Sequence, residues 1–225
     1  MPSLLVVGRG RMGRLVEALA PEYGFDVAGA VDLDEARDAE NWPVADVAID
    51  FSVADAVPLN LPRLAERGIN VVIGTTGWQA EEARLRAEVQ QRGIGVVAAP
   101  NFAIGVNLFV ALVEQAAQLW REQPAFGAWL HELHHAAKRD APSGTALALE
   151  SAMRGAGYTL PLDVTSTRAG SIPGTHTVGF DALAETITLT HTARDRAVFA
   201  RGALQAAQWL RGRQGWFTMR DVLGV

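Results

Sequence analysis

The feature that most constrains this chain is the alternation running through residues 4–99. Residues 4–7, 27–31, 47–51, 71–73 and 94–99 are short, unpunctuated runs rich in Val and Ile, the pattern of strands buried on both faces. Residues 12–20, where Leu15, Val16 and Leu19 form an apolar stripe, and the charged residues 79–91 read as helices between them. Residues 54–67 read as a helix interrupted by Pro58 and Pro62. Strands alternating with helices make βαβ units, so this half predicts a parallel sheet with helices on both faces.

After Asn101 the rhythm changes. Residues 104–122 read as one long amphipathic helix with Leu108, Leu112 and Leu119 on or near one face. A strand over 126–135, a loop at 140–142 and a helix over 143–154 follow. Strands are expected over 163–168, 175–181 and 185–191, the last alternating Thr with Ile187 and Leu189. Strands after helices predict a second, α+β domain with an open antiparallel-type sheet. The tail, residues 199–210 and 215–225, reads as a return to helix that rejoins the first domain. The expected division is 1–103 plus 200–225 for the first domain and 104–199 for the second.

Composition narrows the class. A chain of 225 residues buries roughly 70% of its extended surface and needs no covalent staple. It has no cysteine, which removes disulfides, thiolate metal sites and cysteine nucleophiles together. A net charge of −5 argues against a general nucleic-acid binder. No apolar run reaches the roughly 18 residues of a membrane span, and the N-terminus has no basic-then-apolar leader. The expectation is a soluble, cytoplasmic protein with neither nucleic acid nor membrane as partner.

Directly after the first predicted strand come Gly8, Arg9, Gly10, Arg11, Met12 and Gly13. The G-x-G-x-x-G pattern is weak alone, but here it separates a strand from a helix. Asp32 ends the second strand at the roughly 20-residue spacing of the dinucleotide fingerprint. In that reading Gly8 makes the tight turn, Gly10 admits the pyrophosphate and Gly13 lets helix pack on strand. The phosphates would meet the amides and positive dipole end of the helix. The fold class is therefore α/β, a Rossmann-type parallel sheet followed by an α+β domain. Asp32 would bond the ribose hydroxyls and Leu33 and Asp34 bring no cation, which leans towards NADH over NADPH, although Arg9 and Arg11 could still reach a 2′-phosphate. Gly74, Thr75 and Thr76 after the fourth strand, and Ala99, Pro100, Asn101 and Phe102 after the fifth, are expected at the nicotinamide half, or else serve as tight turns.

Lys138 is the only lysine; every other basic side chain is arginine. An ammonium gives up a proton near neutrality when its surroundings favour it, and a guanidinium does not. An arginine-rich codon bias is the plain alternative. His131, His134 and His135 lie just upstream, and two readings compete. His131, Glu132 and His135 spell H-E-x-x-H, a zinc signature that requires a helix and a third ligand such as Glu150. Alternatively, His134, His135 and Lys138 form a cationic cluster beside a helix capped by Ser143, whose Gly144 and Thr145 amides meet an anion. That second arrangement suits carboxylates and proton delivery to a substrate receiving a hydride. A cofactor-binding sensor without catalysis would account for the N-terminal half alone.

These residues resemble the dihydrodipicolinate (4-hydroxy-tetrahydrodipicolinate) reductase family of bacterial lysine biosynthesis over nearly the whole length. The most specific piece is E-x-H-H-x-x-K-x-D-A-P-S-G-T-A, unbroken over residues 132–146. R-M-G ending at Gly13, I-D-F at Ile49, G-T-T-G at Gly74 and A-P-N-F at Ala99 also match. So do R-x-G-x-x-x-G-x-H from Arg168 and M-R-D-V-L from Met219. The chain departs from the pattern in a first glycine loop one residue shorter than in many members, and in Ser52 and Ala103 where Thr and Ser are usual. The resemblance implies an NAD(P)H-binding domain and a substrate-binding and oligomerisation domain that makes a homotetramer. It implies a small cyclic dicarboxylate substrate reduced to tetrahydrodipicolinate with loss of water. By matching, His134 is the acid/base and Lys138 the proton donor, no metal is needed, and His135, Ser143, Gly144, Thr145 and Arg196 bind substrate.

Overall fold

The computed structural model describes residues 1–32 and 41–225, which divide into two compact units, Met1–Ile104 with Arg196–Val225 and Gly105–Asp195. The first unit contains β1 (Ser3–Val7), α1 (Arg11–Leu19), β2 (Asp26–Val31), β3 (Val47–Asp50), α2 (Val57–Glu66) and β4 (Asn70–Ile73). It continues with α3 (Glu82–Arg92) and β5 (Gly95–Ala98). The alternation explains the sheet directly. Leu4, Val6, Val47, Ile49, Val72 and Val97 project to one side and pack with Val16 of α1. Leu5, Val7, Ala48, Val71, Ile73 and Val96 project to the other and pack on Leu61 and Leu64 of α2 and Leu85 of α3. Each such Val, Leu or Ile side chain, fully removed from water, stabilises the fold by roughly 1.5–3 kcal/mol.

The tail differs from its reading in one respect. Residues 215–225 are not all helix: after α4 (Ile104–Trp120), the second unit and α6 (Ala197–Leu210), residues Gly215–Phe217 form an edge strand before a short helix, Met219–Leu223. Trp216 pairs in parallel with Val96, and its indole tilts against Trp78 at 6.0 Å. Three residues are too few to show a period, so only the open edge of β5 identifies them as strand. The resulting six-stranded parallel sheet has the order edge strand, β5, β4, β3, β1, β2. Its order reverses between β1 and β3, which places a crevice at their carboxyl ends. Pro58 and Pro62 do not break α2: Pro58 stands in the first turn, where its missing N–H costs nothing, and Pro62 is carried within the helix beside buried Leu61, Leu64 and Ala65.

The second unit holds most of α4, then β6 (Gly127–His134), α5 (Gly144–Gly155), β7 (Leu162–Arg168), β8 (Thr175–Ala182) and β9 (Glu185–Thr192). Its sheet order is β7-β6-β8-β9, and it is mixed rather than wholly antiparallel: β6 runs parallel to β7 and antiparallel to β8. The helix α5 between β6 and β7 is the crossover that a parallel pair requires. The leucine face of α4 is not the one that packs on the sheet. Phe109, Val113, Ala116 and Ala117 are buried against the sheet, whereas Leu108, Leu112 and Leu119 share the exposed face.

Candidate active site

Two sets of polar groups arise from this architecture, one in each unit. In the first, β1 ends at Gly8, whose φ of +92° and close approach to the Phe51 carbonyl leave no place for a side chain. A Cβ on Gly13 would lie 1.9 Å from the Gly8 carbonyl oxygen, so helix α1 packs on the strand only with glycine there. Gly10 caps α1 without a side-chain hydrogen bond, and no acidic residue occupies the first turn. The helix start therefore offers unclaimed amides to an anion.

A cleft of about 430 Å³ opens at this point, lined by Gly10, Arg11, Met12, Gly74, Thr75 and Thr76, together with Phe51, Ser52, Val53 and Ala54. Gly8 and Gly13 are buried behind it, and Arg9 and Asp32 are exposed at the ends of β1 and β2. Leu33 and Asp34 lie outside the described residues. Ala99, Pro100, Asn101 and Phe102 are not among the lining groups: Asn101 accepts the Ala103 amide at 2.8 Å, and Phe102 is a core side chain, edge-on to Phe51 at 6.3 Å.

Beneath the cleft is Asp50, which sequence reasoning had only as part of I-D-F. Its buried carboxylate accepts from Ser52 N at 2.8 Å, Ser52 Oγ at 2.6 Å, Thr75 Oγ1 at 3.0 Å and Asn60 Nδ2 at 3.3 Å. Burial pushes its pKa up against these four neutral donors. The carboxylate thereby ties together Ser52 and Thr75, two residues of the cleft wall.

The second set lies on the buried face of β6. Alternation sends Ala128, Leu130, Glu132 and His134 to that face, which turns from apolar to charged along the strand. Glu132 is fully buried. Its Oε1 accepts from Ser143 N at 2.9 Å, Ser166 Oγ at 2.7 Å and Arg168 Nη2 at 2.7 Å. Its Oε2 stands 3.2 Å from His134 Nδ1 and 3.5 Å from His176 Nε2. Burial raises the Glu132 pKa, but the donors from Ser143, Arg168 and Ser166 outweigh it and bring it down to about 2. His134 and His176 are both held below the ordinary histidine value, first by burial, His176 as far as about 4.

Ser143 caps α5, its Oγ accepting from Ala146 N at 3.2 Å. The cap uses the Ala146 amide and leaves those of Gly144 and Thr145 at the helix start, as the sequence suggested. Lys138 follows in the loop, its Nζ donating to both Asp140 oxygens at 2.8 Å. His135 is half-buried just beyond the end of β6, and His131 is on the opposite face to Glu132, 3.0 Å from Thr167 Oγ1. Arg196 belongs to the first unit, exposed at the N-cap of α6.

This geometry removes the zinc alternative built on residues 131–135. That signature needs a helix, and these residues end a strand, so His131 and Glu132 project oppositely. A different trio, Glu132, His134 and His176, brings one ligand atom each within 4.8 Å. There the Arg168 guanidinium already supplies the positive charge, and Oε1 is filled by three donors. Sequence reasoning gave no role to Glu132 beyond the zinc motif, nor to Ser166, Arg168, His176 or Asp140. The period-two pattern of a strand was the available signal for pairing Glu132 with His134.

Residues 3–102 match the family described as dihydrodipicolinate reductase, N-terminus, and residues 105–223 match its C-terminus. The chain belongs to the dihydrodipicolinate reductase family. It is 34% identical to the 4-hydroxy-tetrahydrodipicolinate reductase of Christiangramia forsetii over 98% of this chain and 97% of that one. It is 37% identical to the enzyme of that name from Archaeoglobus fulgidus over 95% and 96%. Among solved structures, the dipicolinate-bound dihydrodipicolinate reductase from Paenisporosarcina sp. TG-14 shares the fold at TM-score 0.81 and 20% identity, each chain covered to 97%. The protein is thus an oxidoreductase of a family that uses NAD(P)H.

Proposed function

We propose that this reductase converts 4-hydroxy-tetrahydrodipicolinate to tetrahydrodipicolinate, in the diaminopimelate route to lysine, with Lys138 as proton donor and His134 as acid/base. The observation that carries the assignment is the clustering of His134 and the capped start of α5 around the buried Glu132 carboxylate, with Lys138 near enough for its charge to act on His134. In this reading the first unit binds cofactor and the second binds substrate. The reduced nicotinamide, when bound, supplies the hydride. Gly10, Arg11, Met12, Thr75 and Thr76 hold the dinucleotide, with the α1 amides on its phosphates and Gly8 and Gly13 shaping the turn beneath. Arg9 flanks the phosphates, Gly74 completes the wall, and Ala99, Pro100 and Asn101 close the nicotinamide end, with Phe102 buttressing them from the core. Asp32 takes the adenosine ribose hydroxyls, which favours NADH.

The substrate is a small cyclic dicarboxylate. The Gly144 and Thr145 amides, with His135, take one carboxylate; Arg196 is assigned to substrate as well. Loss of water from the ring leaves a conjugated C=C–C=N system. Hydride addition at one end turns it into an enamine-like anion, and one proton at the neighbouring atom completes the reduction. The Lys138 ammonium gives that proton and His134 restores it. A cytoplasmic homotetramer completes the proposal, supported by the open face of the second sheet, where Thr186, Thr188, Thr190 and Thr192 are exposed along β9. The test is loss of reduced-nicotinamide absorbance with substrate made in place from pyruvate and aspartate semialdehyde by the preceding synthase. Chelator-insensitive turnover, with a higher kcat/KM for NADH than for NADPH, is expected; no turnover with either overturns the assignment.

A further inference from the structure

Glu132 binds no substrate group in the mechanism above, yet it is the most heavily coordinated side chain of the second unit. Cross-strand register explains why. Glu132 pairs with Ser166 on β7 and with His176 on β8, and His134 pairs with Arg168. One carboxylate thus sits at the centre of a polar row on a sheet face that otherwise carries Leu130 and Val178 and packs on Phe109 of α4 and Leu149 of α5.

Its two oxygens are used differently. Oε1 is filled by Ser143, Ser166 and Arg168. Oε2 and His134 Nδ1 have no hydrogen-bond partner, although they face each other at 3.2 Å. The other nitrogen near Oε2, His176 Nε2, is farther at 3.5 Å and is engaged at 3.1 Å by Ser143 Oγ. A buried carboxylate oxygen left without a donor is costly, so a proton on His134 Nδ1 has a strong preference for that gap. At the opposite edge of the ring Gly174 lies close by: a Cβ there would come within 3.0 Å of His134 Nε2, so glycine at this position is what leaves that nitrogen uncrowded.

We propose that Glu132 is a positioning residue for His134, holding the imidazole as its Nδ1–H tautomer so that Nε2 is the nitrogen that exchanges protons at the substrate site. This rests on the reading of His134 as the acid/base. The groups acting on the ring are Glu132 from β6, Arg168 from β7, His176 from β8, and Lys138 and Asp140 from the loop after β6. Burial, Lys138 and Arg168 disfavour its charged form; Glu132 and Asp140 favour it, Glu132 more strongly. When Nε2 takes up a proton, the resulting charge therefore meets Oε2 at once. Through Ser143 N–H, the same carboxylate holds the start of α5, so the acid/base and the anion-binding amides share one anchor.

The experiment combines histidine 15N NMR with a double-mutant cycle on the full-length enzyme. Wild-type enzyme is expected to show His134 as the Nδ1–H tautomer. In Glu132→Gln, which keeps size and burial, the His134 titration should move to lower pH. The same variant should lose about 10²-fold in kcat, at the low end of acid–base contributions, with NADH dissociation constant unchanged. In a His134→Ala background, Glu132→Gln should add less than about threefold, because the residue it positions is gone. A merely structural carboxylate would cost the same in both backgrounds, and that result overturns the proposal. An Nε2–H tautomer in the wild type overturns it without any variant. A wild type that binds NADH but turns nothing over defeats the reductase reading instead, while the tautomer still reports on Glu132.

Discussion

Lys138 shows how one side chain carries two constraints. Its ammonium bridges both Asp140 oxygens and is half-buried rather than free in solvent. In return it holds the Asp140 carboxyl below the usual range. Charge alone would be served by arginine, which this chain uses everywhere else. Proton donation would not, since guanidinium keeps its proton at any accessible pH. Lys138→Ala is therefore expected to lose on the order of 10²–10⁴-fold in kcat. Lys138→Arg should be nearly as poor, with substrate KM changed little. Steady-state kinetics decide it: full activity in Lys138→Arg would make the residue an electrostatic clamp. The uniqueness of this lysine was visible in the sequence. The Glu132 network behind it was not, because residues on β6, β7 and β8 meet only through sheet register; the Asp140 partner is local, two residues on in the same loop.

At the scale of elements, α4 is the clearest instance of pattern without direction. Both of its faces carry apolar residues, and periodicity cannot say which one meets the sheet. The structure buries Phe109, Val113, Ala116 and Ala117, where small and aromatic side chains mesh with Leu130, Phe180 and Met153. Phe109→Ala is accordingly expected to destabilise by about 3–5 kcal/mol, whereas Leu112→Gln should change stability by less than about 0.5 kcal/mol in the unassembled chain. Denaturant unfolding at low protein concentration tests the pair, and equal losses would mean the helix is rotated from its described position. The strand at Gly215–Phe217 makes the complementary point. Its three residues carry no period of their own and pair because β5 presents an open edge.

For the whole molecule, the buried acids and histidines set opposite responses to pH in the two units. In the second, Glu132 has a folded pKa near 2, below its ordinary 4.5, and His176 one near 4, below its ordinary 6.5. Both bind fewer protons folded than unfolded, so their stabilisation is complete above pH 6.5 and is lost as pH falls. The His176 share alone reaches up to about 3 kcal/mol by pH 4. In the first unit Asp50 is shifted upward from 3.8. Its contribution is present at low pH and is lost as pH rises through the folded value. Hydrogen exchange at pH 4 to 5 should therefore show amides of β6 and β8 losing protection before those of β1 and β3. Simultaneous loss would contradict this. The sequence by itself determined the order of βαβ units, the glycine turn, the capped start of α5 and the residues of the His134–Lys138 segment. These are local properties, written in period, turn chemistry and helix-end hydrogen bonding within a few residues. Only tertiary structure decided which face of α4 is buried, that 215–217 is a strand, that Asp50 underlies the cleft, and that Glu132 anchors His134. Each of those depends on side chains brought together by strand register and packing from segments distant in the chain, a relation that no local pattern encodes.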